Sequence, residues 1–325
     1  MKSIFKIFET LTGQPISANG YTAASLPLIK NHKISISPEG YPLFFIKCVE
    51  AKATKYLDYN LEFISVQFNR ECRLISKQSQ PTNGFYTVIS LNTESIDLQE
   101  YFLDVVYLVV KKLPPLPKLK ELRIEVEKLI TLFSKFSEPP KKTIQGLWSE
   151  LLVIEQSKNP NYLIQSWHTA ATDKFDFNDG IDKIEVKSTS KSRRVHNFSI
   201  EQLNPNKNST LIVASVFAVT TGMGKSVFDL IKLINQRLKS IDLTSRINEI
   251  LIETLGKDVE KAPEVFFDYQ LAVDSLSFFE GGAIPTITGP IKNEISNIYF
   301  DSDLSEVAPI KKIKKQSLLF RSLIK

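Results

Sequence analysis

Asp176, Glu185 and Lys187 are the residues of this chain whose types and spacing best suit chemistry. They lie in the stretch ATDKFDFNDGIDKIEVKSTS, Ala171 to Ser190. Phe175-Asp176-Phe177 sets an acid between two aromatics, and Asn178-Asp179-Gly180 tolerates positive φ and marks a chain reversal. From Ile181 to Thr189 the pattern alternates, with Ile184 and Val186 on one side and Glu185 and Lys187 on the other. A two- or four-residue loop around Asp179-Gly180 pairs Asp176 with Lys183. Glu185 is then its diagonal neighbour on the same face, about 7–8 Å away. A three-residue loop would turn Asp176 to the opposite face. Asp173 precedes the strand with the wrong parity, Asp179 is a turn residue, and Asp182 shares the parity of Ile184, so Asp176 is the first carboxylate.

Two carboxylates on one face repel, and a divalent cation relieves that repulsion. Mg²⁺ takes a few carboxylate oxygens, a main-chain carbonyl and waters, and Val186 offers the carbonyl. Lys187 can hold or help deprotonate an attacking water, or offset charge developing on a phosphate. The competing reading is an ion-pair ladder on the surface of a hairpin.

The order Asp176, hairpin, Glu185-Val186-Lys187 resembles the PD-(D/E)XK nuclease superfamily, with Phe175 where the motif name has proline. More closely, Gly146-Leu147-Trp148-Ser149-Glu150-Leu151-Leu152, Asp173 to Phe177 and Glu185 to Thr189 are similar to uncharacterised bacterial PD-(D/E)XK motif proteins. Those accompany DNA methyltransferases and ATPases in restriction and phage-defence gene clusters. The resemblance covers roughly residues 140–305 and is weak over the first 115. It implies a restriction-endonuclease-like α/β fold, a mixed sheet flanked by helices, and a Mg²⁺-dependent DNA endonuclease (with Mn²⁺ as a substitute) of the type II restriction kind. Asp176, Glu185, the Val186 carbonyl and Glu150 on the first core helix would hold the metal, and Lys187 would assist the water. Gln202 could reach the site from the helix after the Glu-x-Lys strand. The implied partner is double-stranded DNA, cut by a homodimer with methyltransferase or ATPase partners. The alternative is a silent or partner-dependent DNA-binding or scaffold subunit.

The chain has 325 residues, 42% hydrophobic and 24% charged, with net charge +5. That length fits two cores. The mild basicity is compatible with nucleic acid without demanding it. Cys48 and Cys72 sit in separate apolar-patterned strands and form no Cys/His cluster, which points to thiols of a reduced, cytoplasmic protein. No apolar run reaches the 18 residues a membrane span needs, and the N-terminus is no signal peptide.

Residues 1–115 read as a smaller α+β domain of recognition, dimer or partner contact. A short helix over 1–12 precedes strands at 33–37, 42–49, 61–69, 72–77 and 85–91, with a turn at Pro81-Thr82-Asn83-Gly84, and then a helix over 95–113. Residues 116–142 read as a helical connector, and 143–308 as the nuclease domain. There a helix over 143–157 carries Glu150, and strands follow at 163–168, around Asp176, at 181–189 and at 195–198, the last extending the same sheet. Ser199-x-x-Gln202 is a capping box on a helix that Pro205 ends. The run 210–221 reads as a central strand buried on both faces. Helices follow at 226–238 and 243–255, then late strands at 264–279 and 298–300. Lys191, Arg193, Arg194 and His196 form a basic stretch after the site, with the first three as phosphate contacts alongside Gln202. Gly222-Met223-Gly224-Lys225-Ser226 is not a P-loop, since Val219 stands where the first glycine is needed. Residues 309–325, with Lys311-Lys312-Ile313-Lys314-Lys315, read as a basic tail.

Overall fold

The computed structural model describes residues 4–12, 20–49, 56–76, 79–168, 173–204, 209–289, 291–292, 294–311 and 317–323. The chain divides into two compact units, Met1–Pro139 with Gly256–Glu260, and Pro140–Leu255 with Lys261–Lys325.

The first unit holds α1 (Ile4–Thr12), β1 (Tyr21–Ser25), β2 (Lys33–Ile36), β3 (Pro42–Ile46), β4 (Tyr59–Asn60), β5 (Ile64–Ser76), β6 (Ser79–Leu91), α2 (Ile96–Lys111) and α3 (Leu119–Ser134). Its sheet runs β1-β2-β3-β6-β5-β4, and a parallel pairing of β1 with β5 closes the first five of these strands on themselves. Ala23, Leu43, Phe45, Cys72, Leu74 and Tyr86 pack as one apolar cluster. Phe63, Phe102, Phe133 and Phe136 pack ring against ring at 4.9–5.7 Å, an arrangement the ring quadrupoles favour. The helix expected as part of a connector, α3, therefore lies in this unit and contributes to its aromatic core. The two strands expected at 61–69 and 72–77 are one, with a register shift between Gln67 and Arg70 and Asn69 at φ 51°. Pro81–Gly84 is no turn. Thr82, Asn83 and Gly84 pair inside β6, and the reversal from Ser76 to Ser79 passes through 77–78, outside the described residues. Turn residues misled here because a proline in a strand is tolerated where the ladder does not need its N–H. Burial pushes both thiols up, Cys48 to about 11, and neither cysteine is in a disulfide.

The second unit holds α4 (Ile144–Gln156), α5 (Pro160–Ser166), β7 (Phe177–Asn178), β8 (Lys183–Thr189), β9 (Val195–Ser199), α6 (Ile200–Leu203), β10 (Leu211–Phe217), β11 (Thr220–Thr221), α7 (Val227–Asn235), α8 (Ile241–Leu255), β12 (Phe266–Phe267), α9 (Tyr269–Ser275), β13 (Ser277–Glu280), β14 (Tyr299–Asp303) and α10 (Leu318–Ser322). The main sheet is mixed, in the order β13-β10-β8-β7, with β8 and β10 parallel and the other pairs antiparallel. Residues Leu211 to Val216 of β10 are all buried, as a strand covered on both faces should be. Helix α4 packs on β8, and α9 on β10. The fold is thus a mixed α/β sheet flanked by helices.

Three expected elements differ. Residues 163–168 are not the first strand. Asn159 caps Tyr162 N–H, Pro160 occupies the first turn, and the chain enters helix α5, the start that Asn-Pro favours. Strand β9 does not extend the main sheet but pairs with β14 in a separate ladder. Most of 264–279 is not strand, because Asp268 caps Leu271 N–H and starts α9. Pro205 and Lys312–Lys315 lie outside the described residues. No helix among the described residues is long and apolar enough to cross a membrane.

Candidate active site

Strand β8 carries the site because of where its main chain points. Lys183 N–H bonds Thr210 O at 2.9 Å, and Thr189 O accepts from Ala218 N–H at 2.9 Å. Odd-numbered residues thus turn their main-chain groups toward β10. Even-numbered residues turn theirs to the opposite edge, since successive strand residues alternate. On that edge Val186 N–H donates to Asp176 Oδ2 at 2.7 Å, and the Val186 carbonyl leaves on the same edge.

The hairpin pairs Phe177 with Ile184 and Asn178 with Lys183. Continued by one residue, this register sets Asp176 opposite Glu185, not opposite Lys183 with Glu185 on the diagonal as expected. The four residues Asp179–Asp182 form the loop because Asp179 Oδ1 accepts from Ile181 N–H at 3.0 Å and Asp182 N–H at 2.8 Å. A shift of two positions preserves parity, so the acids still share a face. The competing acids are engaged elsewhere. Asp182 accepts from Thr210 N–H at 3.0 Å, and Asp173 accepts from Asn178 Nδ2 at 3.2 Å.

Asp176, Glu185, Lys187, Glu150 and Gln202 all line one cleft of about 610 Å³. Lys187 Nζ lies 2.8 Å from Glu185 Oε1 and 3.2 Å from Gln202 Oε1, and Gln202 Nε2 donates to Glu185 Oε1 at 2.7 Å. Gln202 is fixed by the predicted capping box, in which Ser199 N–H bonds its Oε1 at 3.1 Å. It reaches the carboxylate and is not a free phosphate contact. Glu185 Oε2 is buried and has no hydrogen-bond partner among the described residues.

Glu150 enters from α4, where Thr143 caps Gly146 N–H. Its Oε2 accepts from Trp167 Nε1 at 2.7 Å and lies 2.8 Å from His168 Nε2, while Oε1 accepts from Lys142 Nζ at 2.7 Å. Lys142 also donates to Asp176 Oδ1. Lys142 and His168 are site residues that sequence reasoning missed. Lys142 stands in a Pro-Pro-Lys-Lys stretch eight positions from Glu150, and His168 ends the segment expected as a strand over 163–168. No local spacing signals either, because the contacts join separate elements.

Burial raises the Asp176 carboxyl, with the Glu150 charge adding to it against Lys142. Burial and the Asp176 charge push Glu185 well above the ordinary carboxylate range, against Lys187. Glu150 goes the other way. Burial opposes its ionisation, but the His168 hydrogen bond and the Lys142 charge overcome that and hold it low. Glu150 and Asp176 share Lys142, but Glu150 has the His168 hydrogen bond besides, and its charge in turn raises Asp176.

The expected phosphate contacts divide. Lys191 is exposed, and Arg193 pairs with Asp303. Arg194 is spent inside the fold. Its guanidinium bonds Ser215 O at 2.9 Å and Ser215 Oγ at 2.7 Å, bonds Ser275 O, and covers the Phe217 ring at 4.5 Å.

A family model described as "Putative PD-(D/E)XK family member, (DUF4420)" matches residues 19–305. No curated protein and no solved structure matches.

Proposed function

The chain belongs to this PD-(D/E)XK family, and from that membership and the site geometry we propose that it is a Mg²⁺-dependent endonuclease acting on double-stranded DNA. The observation that carries the reading is the set Asp176, Glu185 and Lys187 in one cleft, with Glu185 Oε2 buried and unpartnered. A buried, unpaired carboxylate oxygen is costly unless a ligand satisfies it. The donor set fits a hard divalent cation: Asp176, Glu185 and the Val186 carbonyl, with Glu150 beside Asp176. Bound there, Mg²⁺ or Mn²⁺ supplies charge neutralisation and a more acidic water.

The chain's own groups do the rest. Lys187 Nζ, anchored by Glu185 and Gln202, holds the nucleophilic water or a phosphate oxygen within hydrogen-bond reach. Val186 N–H fixes the rotamer of Asp176 through Oδ2. Lys191 contributes backbone contacts to DNA. Double-strand cutting needs two such sites, which argues for a homodimer. Restriction of foreign DNA, with a methyltransferase or ATPase partner, is the setting that fits this activity.

The test is cleavage of unmodified phage DNA and plasmid with Mg²⁺, Mn²⁺ or EDTA, beside Lys187→Ala. Cleavage should require metal and fall by at least about 100-fold in the variant, the scale of losing a transition-state electrostatic contact. Equal cutting by both proteins rejects the site. DNA binding without cutting by either protein transfers the reading to a scaffold or partner-dependent subunit.

A further inference from the structure

Arg246, on α8, spends its guanidinium on main-chain carbonyls behind the acids. Its Nε donates to Ile164 O at 2.9 Å, and its Nη2 donates to Trp167 O at 2.5 Å and His168 O at 3.2 Å. The first bond meets the ordinary need of a helix end. The last carbonyls of α5 lack partners within the helix, and a cation suits that terminus. The other two bonds hold the residues that leave the helix, and those residues reach the acids.

Trp167 is fully buried, and its Nε1 donates to Glu150 Oε2 at 2.7 Å. It also bridges Phe177 through the main chain and stacks on that ring at 6.4 Å. His168 N–H donates to Asp176 O at 3.0 Å, and His168 Nε2 lies 2.8 Å from Glu150 Oε2. Asp176 is thus held twice, by His168 at its carbonyl and by Val186 N–H at Oδ2. His168 stands at φ 43°, a conformation that non-glycine residues seldom adopt and that persists only where the surroundings impose it. Trp167 O and His168 O belong to the two carbonyls on either side of that rotation, and one nitrogen of Arg246 grips both. Arg246 does this from outside the cleft. Ile250, Glu253 and Thr254 line the cleft and Arg246 does not, although all four lie on one face of α8. The helix that walls the cleft is therefore the helix that braces the acids.

We propose that Arg246 is a positioning residue of this site: its planar fork fixes Trp167 and His168, and through them the placing of Glu150 and Asp176, without touching metal or DNA. The inference rests on the nuclease reading for its effect on rate, while its effect on the acids stands without that reading. A misplacement of about 1 Å at a reacting group costs on the order of 100-fold in rate, so a grip on the main chain behind two acids has a large lever.

The experiment is Arg246→Lys, which keeps a cation at the end of α5 and removes the planar fork. A mere helix cap would survive the exchange. A positioning residue would not: the variant should melt near wild type, yet kcat for DNA cleavage should fall about 10–100-fold with KM little changed. Calorimetric titration should show Mn²⁺ bound about tenfold more weakly. The chain has two tryptophans, so their indole N–H signals in NMR spectra report the brace directly, with Trp167→Phe as the assignment. The Trp167 signal should move upfield as its bond to Glu150 lengthens, while that of Trp148, whose Nε1 donates to Lys225 O, stays in place. Ile252→Ala, a buried change on the same helix, should lower the melting temperature and leave kcat and the Trp167 signal as they are. Wild-type kcat or an unmoved Trp167 signal in Arg246→Lys overturns the proposal and leaves Arg246 a helix cap. Equal losses of kcat in Arg246→Lys and Ile252→Ala also overturn it, since general loosening of α8 would explain both. A wild-type protein that cuts no DNA rejects the nuclease reading instead, and the Trp167 signal with the Mn²⁺ affinity then decides the positioning role. Should Arg246→Lys fail to fold, Arg246→Gln, whose amide still donates, is judged by the same readouts.

Discussion

His196 sits three per cent exposed beside the sheet, and its surroundings hold it neutral. Burial comes first and the Lys187 and Arg194 charges second, with Asp303 opposing, and together they pull it down to about 4. Arg194 already donates to Ser215 Oγ, so the hydroxyl proton is directed at His196 Nε2, 2.7 Å away. Protonating that nitrogen would set donor against donor. The sign follows from linkage. Above the unfolded value of about 6.5 both states are neutral and His196 contributes nothing; below it the unfolded chain takes up the proton first, so stability falls until about pH 4. At pH 5 the loss should be about 2 kcal/mol, from 1.36 kcal/mol for each pH step below 6.5. Denaturant unfolding of wild type and His196→Gln at pH 7.5 and pH 5 checks this, and parallel losses in the two proteins would refute it. At this scale the sequence showed Asp176, Glu185 and Lys187, because strand periodicity governs residues close along the chain. It did not show Lys142 or His168, whose partners come from α4 and the hairpin, nor that Arg194 would be consumed by Ser215 and Ser275.

Among the elements, the turn that leads into α7 tests how closely the backbone is packed. Lys225 N–H bonds Phe267 O at 3.0 Å and Phe267 N–H returns to Lys225 O at 3.1 Å, while Trp148 Nε1 donates to Lys225 O at 2.9 Å. A Cβ on Gly224 would stand 2.1 Å from Phe267 O, whereas one on Gly222 would meet nothing within 4 Å. Gly224→Ala should therefore cost about 1–3 kcal/mol, and Gly222→Ala should stay within about 0.5 kcal/mol of wild type. Melting curves of the two variants decide it, and equal losses would show that the turn gives way. The glycines of this motif thus serve the approach of two chain segments and not a phosphate. Sequence patterning revealed β10 and α4, whose apolar runs are long or strictly periodic. It failed at α5 and α9, where seven-residue apolar segments fit either period and a cap residue decided the outcome. It also failed for β9, since alternation marks a strand without naming its partner.

For the molecule as a whole, the chain runs from one unit to the other at Pro139–Pro140, returns for Gly256–Glu260, and leaves again at Lys261. The segment expected as a connector, residues 116–142, contains the first crossing. The return has no such signal: Gly256, at φ 47°, is placed by its approach to Glu138 O, to which Lys257 N–H also bonds at 3.0 Å. Each unit has a core of its own, Phe45 and Tyr86 in one cluster, Phe198, Val213 and Phe279 in the other. Separate cores predict separate transitions. All the proposed metal ligands lie in the second unit, so a divalent ion should stabilise that unit alone. At a concentration 100 times Kd the gain is about 2.7 kcal/mol, which for a unit of this size raises the melting temperature by about 5–10 °C. Calorimetry with and without Mn²⁺ should therefore show two transitions, of which one moves. A single transition that moves as a whole would mean that the units unfold as one cooperative block. The variant that separates these cases is Gly256→Val: a Cβ there would stand 2.3 Å from Glu138 O, so it should lower the metal-insensitive transition and leave the Mn²⁺ shift of the other intact.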